Sequence, residues 1–193
     1  MLELKDVSKR FGEKQVLMHL NHRFPEHEVT GIIGPSGAGK TTLVNILLGL
    51  LEPDSGSVFG AEGLRFSAVF QEDRLFEHLG AAANLRLALR EKPSVDAINI
   101  NLRGVGLDPN DRQPVSRYSG GMRRRVALVR AVLAKPDVLI LDEPFKGLDA
   151  EIREKCCAYI RESCADATIL LITHDPQELR LMQAQGVLSL EKS

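Results

Sequence analysis

Gly34-Pro35-Ser36-Gly37-Ala38-Gly39-Lys40-Thr41 is the stretch whose reading decides the fold. It fits G-x-x-x-x-G-K-[ST], the spacing of a phosphate-binding P-loop. Its flanks give the motif meaning. Val29-Thr30-Gly31-Ile32-Ile33 before it is a short apolar run that reads as a buried strand. Thr42-Leu43-Val44-Asn45-Ile46-Leu47-Leu48 after it reads as a helix. Gly34, Gly37 and Gly39 let the backbone take conformations closed to other residues and approach a ligand closely. The loop amides and the helix N-terminus then point at an anion. Lys40 brings a compact positive charge to the outer phosphates. The Thr41 hydroxyl suits Mg²⁺. The stretch therefore predicts a nucleoside triphosphate bound with magnesium.

Working outward, the whole chain of 193 residues is long enough for one domain with a full core. A single domain over 1–193 is expected. The formal net charge of -1 argues against a nucleic-acid surface. No apolar run is long enough to cross a membrane. Met1-Leu2-Glu3-Leu4-Lys5 lacks the basic-then-apolar layout of a signal peptide. Cys156, Cys157 and Cys164 have no metal-ligand spacing. Cys156 shares a helical face with Ile152, Tyr159 and Ile160 and reads as a small core residue. Reduced thiols fit the cytosol.

Upstream of the loop, Leu2, Leu4 and Val7 alternate with charged residues and read as an edge strand. Ser8 to Lys14 is turn-like and carries Phe11. An aromatic ring near a nucleotide site can stack on a base, although a lone Phe is more often core. Val16 to Leu20 resumes as strand. Downstream, Val58 to Val69 holds short strand-like pieces, and Gln71 follows directly as a polar amide. His78 to Leu107 has a helical pattern punctuated by Pro93 and Gly104. Tyr118-Ser119-Gly120-Gly121-Met122 opens a helix to Ala134, with Met122, Val126, Val129 and Leu133 on one face. Arg123, Arg124, Arg125 and Arg130 read as a solvated, salt-bridged face rather than a nucleic-acid patch.

Val138-Leu139-Ile140-Leu141 is a wholly apolar strand with Asp142-Glu143 at its tip. Such a strand belongs inside a parallel sheet with a site at the rim. Asp142 can hold the magnesium shell, and Glu143 would lie beside the γ-phosphate and a water. Thr168 to Ile172 is a further buried strand. His174 at its exit lies on the same edge, which favours a phosphate contact. Val187 to Leu190 reads as a last strand.

Taken in order, the P-loop, Gln71, Ser119-Gly120-Gly121, Asp142-Glu143, Asp149 and His174 resemble the ATP-binding-cassette (ABC) ATPase domain over essentially the whole chain. The signature, usually Leu-Ser-Gly-Gly-Gln in that family, stands here as Tyr118-Ser119-Gly120-Gly121-Met122. VFQEDRL around Gln71 and DEPF-x-x-LD are similar to importers for sulfonate-, nitrate- or taurine-like solutes, whereas SGGMRRR is also similar to some exporters, so the resemblance favours import over export without fixing the direction. The resemblance implies an α/β fold: a mostly parallel central sheet, a small antiparallel subdomain and a helical insert at about 75–120. It implies ATP and Mg²⁺ as ligands. Phe11 would stack on adenine, and Gly34, Pro35, Ser36, Gly37, Ala38, Gly39, Lys40, Thr41 and Thr42 would bind phosphates. Thr41 and Gln71 would hold the metal, with Asp142 acting through water. Glu143 would be the general base, with His174, Gln71 and Lys40 as the other catalytic residues. Ser119, Gly120 and Gly121 would reach ATP held by a second copy, identical or paralogous, with Asp149 in the dimer loop. The further partners implied are separate transmembrane permease subunits and a solute-binding protein, which places the chain on the cytoplasmic face of a membrane. A soluble assembly or regulatory ATPase is the competing implication. Lys146-Gly147 stands where the family has small residues.

Overall fold

The computed structural model describes residues 1–191. Three short strands with almost no polar interruption build its centre: β3 (Val29–Ile33), β6 (Val138–Asp142) and β7 (Thr168–Ile172) (β numbers follow chain order). They pair in parallel, β6 with β7 and β7 with β3. β5 (Phe66–Val69) adds beside β6 and β8 (Gly186–Ser189) beside β3, giving the order β5-β6-β7-β3-β8. Alternate side chains of a strand point to opposite faces. Accordingly Val138 and Ile140 join one apolar cluster, and Leu139 and Leu141 join the other. The first cluster takes in α1 (Lys40–Leu47) together with Leu2, Leu4, Leu17 and Phe24. The second is covered by α2 (Ala81–Ala88), α3 (Val95–Gly104), α4 (Gly120–Leu133) and α5 (Ala150–Ser163). Each fully buried Leu or Ile in this sandwich contributes about 1.5–3 kcal/mol.

The strand order decides where the site forms. β6, β7 and β3 are neighbours and all run the same way. Their C-terminal exits, Asp142-Glu143, Thr173-His174 and the 34–39 loop, therefore come out along one edge. β5 beside β6 brings Gln71 to the same edge. Arg65 and Asp137 fix the start of that pairing. The Arg65 guanidinium makes a two-pronged contact with the Asp137 carboxylate at 2.8 and 3.0 Å, and the Arg65 amide donates to it at 2.7 Å.

A smaller antiparallel sheet has the order β2-β1-β4, from β1 (Leu2–Phe11), β2 (Lys14–Phe24) and β4 (Ser55–Phe59). Three expectations change here. β1 is the middle strand, not an edge, because the polar β4 segment pairs with it. Ser8 to Phe11 continues β1, and the turn shrinks to Gly12-Glu13. The helical pattern of 78–107 is divided into α2 and α3. Leu89 is already extended, with φ −100° and ψ 135°, and Ser94 caps the new helix by accepting from the Ala97 amide at 3.1 Å. Pro93 enforces the break, since the residue before a proline is pushed out of the helical region. A 3₁₀ turn at Val115–Arg117 leads into α4. α6 (Pro176–Leu181) precedes β8. Cys156, Cys157 and Cys164 are buried in the α5 region. Burial pushes their thiols up to about 11, 12 and 11, as befits small core residues.

Candidate nucleotide site

The 34–39 loop is held open by its own geometry. Gly39 caps α1 in the left-handed region, with φ 93° and ψ 9°. A side chain there would stand 2.9 Å from the carbonyl of Val16, so β2 passes too close for any Cβ. The Lys40 ammonium folds over the loop and donates to the carbonyls of Gly34 and Pro35 at 2.7 and 2.9 Å. These contacts hold its charge against the start of the loop.

A cleft of about 560 Å³ opens over this loop. Its walls carry Phe11, the loop residues Gly34 to Gly37, Gly39 to Thr42, and from the neighbouring exits Gln71, Glu143 and His174. Ala38 is the exception among the expected phosphate residues. Its side chain is buried beneath the loop, and its amide closes a turn onto the Pro35 carbonyl at 3.2 Å. Phe11 is half exposed at the end of β1, so it is not a core residue. Lys14 and Val16 also line the cleft, and the sequence reading did not single them out. Their one signal is the hairpin, which pairs Lys14 directly with Phe11.

Asp142 ends β6 almost fully buried. Burial pushes its carboxyl up and the adjacent Glu143 adds to this, while the Gln71 amide, Lys40 and Arg124 pull it back down. A buried carboxylate beside a second carboxylate is a position that a cation relieves. Mg²⁺ takes oxygen ligands and keeps most of its waters, needing only one or two protein groups beside phosphate. The Thr41 hydroxyl, the Gln71 amide oxygen and Asp142 fit that requirement. Glu143 turns out of the strand with φ 47°, a strained conformation for a glutamate, and its amide donates to the Ile172 carbonyl at 2.9 Å. Non-glycine strain of this kind gathers at functional sites. Its carboxylate is flanked by His174 Nδ1 at 3.4 Å on one oxygen and Lys146 Nζ at 3.5 Å on the other.

Ser119, Gly120 and Gly121 do not join this cleft. Ser119 caps α4 by accepting from the Met122 amide at 3.2 Å. The segment forms the wall of a second cleft of about 410 Å³ with Lys146 to Asp149, Asp73 and Arg124. Asp149 caps α5 by accepting from the Ile152 amide at 2.9 Å. Among the described residues, no lining residue is shared by the two clefts. The arginine run keeps the expected ion pairing, with Arg123 and Arg124 3.9 and 3.3 Å from Asp73 carboxylate oxygens, but departs from the expected solvation at one member. Arg124 is buried, not solvated. It donates to the carbonyls of Phe70 and Gln71. Arg125 donates to Val105 and Gly106 at 3.0 and 2.9 Å, and Arg130 to Asp73 and Arg74 at 2.9 and 2.6 Å. These arginines tie α4 to irregular backbone around it.

A P-loop on a parallel sheet, faced by an amide, two carboxylates and a histidine from neighbouring strand ends, defines a P-loop nucleotide-binding domain. The model of the ABC transporter family matches residues 17–146, and the chain belongs to that family. The spermidine/putrescine import ATP-binding protein PotA of Fusobacterium nucleatum subsp. nucleatum is 35% identical over 193 residues, covering 92% of this chain and 51% of that protein. The sulfate/thiosulfate import ATP-binding protein CysA of Burkholderia mallei is 36% identical, covering 92% of this chain and 56% of that protein. The chain thus spans about half the length of these two relatives. A dimeric bacterial ABC transporter cassette superposes with a TM-score of 0.83 at 26% identity, covering 99% of this chain and 94% of that one. A post-hydrolysis cassette bound to ADP and Pi gives 0.84 at 26% identity, covering 100% of this chain and 97% of that one. The expected fold, a parallel sheet with a small antiparallel sheet and a helical insert, is the one these cassettes have. Among the described residues no helix is long and apolar enough to cross a membrane.

Proposed function

We propose that the chain is the ATP-binding and ATP-hydrolysing subunit of a membrane importer, working as a pair of cassettes. The observation that carries this reading is the division of the site. Lys40, Gln71, Glu143 and His174 face one cleft, whereas Ser119 to Gly121 face another that shares no residue with it. A second copy, identical or paralogous, would complete each half.

In this reading the Phe11 ring takes the adenine, and Lys40 with the loop amides holds the phosphates. Thr41 and Gln71 would hold Mg²⁺, with Asp142 acting through water; when bound, the ion neutralises charge on the β- and γ-phosphates. Glu143 polarises the attacking water, and its placement between His174 and Lys146 sets the orientation of its carboxylate. His174 hydrogen-bonds the γ-phosphate. The α4 N-terminus, with Ser119 as its cap, receives the γ-phosphate held by the other copy. Asp149 stands beside that contact. Closure excludes water and aligns the base, and loss of the γ-phosphate releases it.

The transporter role is supported by relatives whose names describe import. It is also supported by the apolar residues that the insert leaves exposed, Phe76, Leu87, Val95 and Ile100. They suit docking to separate transmembrane permease subunits at the cytoplasmic face of the membrane, with a solute-binding protein on the far side. No nucleic acid enters this reading. Two experiments test it. Glu143→Gln should lower turnover by about 10²–10⁴-fold, the usual worth of a general base, while binding of a fluorescent ATP analogue persists; wild-type turnover would remove Glu143 from that role. Affinity capture from detergent-solubilised membranes should recover an integral membrane protein in stoichiometric amount. Recovery of soluble proteins alone would favour a soluble ABC factor instead.

A further inference from the structure

Phe70 to Phe76, between β5 and α2, lies outside helix and strand. Backbone carbonyls in such a segment have no ladder partners and must find donors elsewhere. Here α4 supplies them. The Arg124 guanidinium forks onto two consecutive carbonyls, those of Phe70 and Gln71, and its Nε lies 3.3 Å from an Asp73 carboxylate oxygen. Arg130 bonds two carbonyls further along, beyond Glu72, at Asp73 and Arg74. Arg124 is only 7% exposed, and its charge faces the Asp73 carboxylate in this segment and the buried Asp142 on β6. It also lies one helical turn from Gly120 and forms part of the wall of the second cleft. One side chain therefore grips the residue that faces the nucleotide cleft and stands on the helix whose N-terminus faces the other.

We propose that Arg124 is a positioning residue that ties the Gln71 backbone to the first turn of α4 and so fixes where the Gln71 amide stands. The proposal rests on the reading of Gln71 as a metal-side ligand. A guanidinium is suited to this task because its planar fork reaches two acceptors at fixed spacing, whereas a lysine offers a point charge. Displacing the fork leaves the P-loop intact and misplaces the Gln71 oxygen. A supporting contact of this kind is worth about 10–100-fold in metal affinity.

The test uses the full chain carrying Arg124→Gln, Arg124→Lys, Gln71→Ala, and the double change of Arg124→Gln with Gln71→Ala. Circular dichroism first establishes which variants are folded. A fluorescent ATP analogue is then titrated in EDTA and again with Mg²⁺. Affinity in EDTA should match wild type throughout. The gain in affinity conferred by Mg²⁺ should fall about tenfold in Arg124→Gln, close to the loss in Gln71→Ala. The double variant should be no worse than Gln71→Ala, because both changes remove the same contact. Arg124→Lys, which keeps the charge without the fork, should fall between Arg124→Gln and wild type. It decides the matter if Arg124→Gln fails to fold. A folded Arg124→Gln or Arg124→Lys with the full Mg²⁺ gain overturns the proposal, as do losses that multiply in the double variant. If Gln71→Ala itself keeps the full gain, the reading of Gln71 falls and the proposal with it. A loss in Gln71→Ala with Arg124→Gln unaffected overturns the role of Arg124 alone.

Discussion

Replacing Gly39 by alanine probes how the nucleotide loop is held, and Gly37 supplies its control. Both residues are left-handed, with φ 93° and 81°. That handedness costs an alanine about 1–2 kcal/mol. At Gly37 nothing lies within 4 Å of the added Cβ, so this is the whole penalty. At Gly39 the Cβ meets Leu17 Cδ2 at 2.8 Å, the Val16 carbonyl at 2.9 Å and Val16 Cγ1 at 3.0 Å. The methyl groups can turn aside, but the carbonyl is part of β2, whose neighbouring residues pair with β1. Overpacking of that kind adds about 1–3 kcal/mol. For a chain of this size each kcal/mol moves Tm by about 2–4 °C. Gly37→Ala should then lower Tm by about 4 °C and Gly39→Ala by about 10 °C. Differential scanning calorimetry of the three proteins measures this directly. Repeating the scans with excess ATP adds a second readout, since a ligand at 100 times its Kd stabilises by about 2.7 kcal/mol. Wild type should gain that increment and Gly39→Ala should lose most of it. If Gly39→Ala melts no lower than Gly37→Ala, the close approach of β2 to the loop is not what makes a glycine necessary at 39.

Three further outcomes follow from other parts of the molecule. Phe11→Ala should weaken ATP binding by about 1–3 kcal/mol, the worth of one base–aromatic stack, while leaving tripolyphosphate binding unchanged in competition titrations. It should leave Tm nearly unchanged as well, because Phe11 is 52% exposed. Arg65 holds the Asp137 carboxyl down to about 2 from an ordinary 3.8. A lowered folded-state value means the stabilisation is complete above the ordinary value and disappears as pH falls through about 2. Solvent screening of this exposed pair keeps the effect small, so Asp137→Asn should be slightly less stable than wild type in urea at pH 7, with the gap closing as pH falls towards about 2. Ellman's reagent should leave Cys156, Cys157 and Cys164 unmodified in the native protein at pH 8 and label all of them in urea, since each is buried with its thiol pushed well up.

Much of the first cleft was legible in the chain because its parts are local. The P-loop needs glycines at fixed offsets, and the strands that present Asp142, Glu143 and His174 are buried on both faces, so their runs of Val, Ile and Leu stand out. Parallel pairing then sends their exits to one edge without any contact having to be known. What escaped depended on partners distant in sequence. β1 looked like an edge because its second neighbour, Ser55–Phe59, is a mostly polar segment with little strand signal of its own. Lys14 reaches the cleft because the hairpin pairs it with Phe11, and Val16 follows two residues on along β2. The left-handed turn at Glu143 accompanies a hydrogen bond that its backbone N–H donates to the Ile172 carbonyl on the next strand.

The arginine run shows why such failures can mark something useful. Composition makes a charged run on a helix a solvated face, because burying an ion without partners is expensive. That expectation holds only where no acceptors wait. The irregular stretches after β5 and after α3 present unpaired carbonyls, and Arg124, Arg125 and Arg130 reach them from one helix. Neither partner explains the other alone. The loop would be left with unsatisfied carbonyls, and the arginines would carry uncompensated charge. Together they join the residue facing the nucleotide cleft to the helix whose N-terminus faces the second. If the site is divided between the two clefts as proposed, a connection between the halves is required, and α4 with its arginines spans the two.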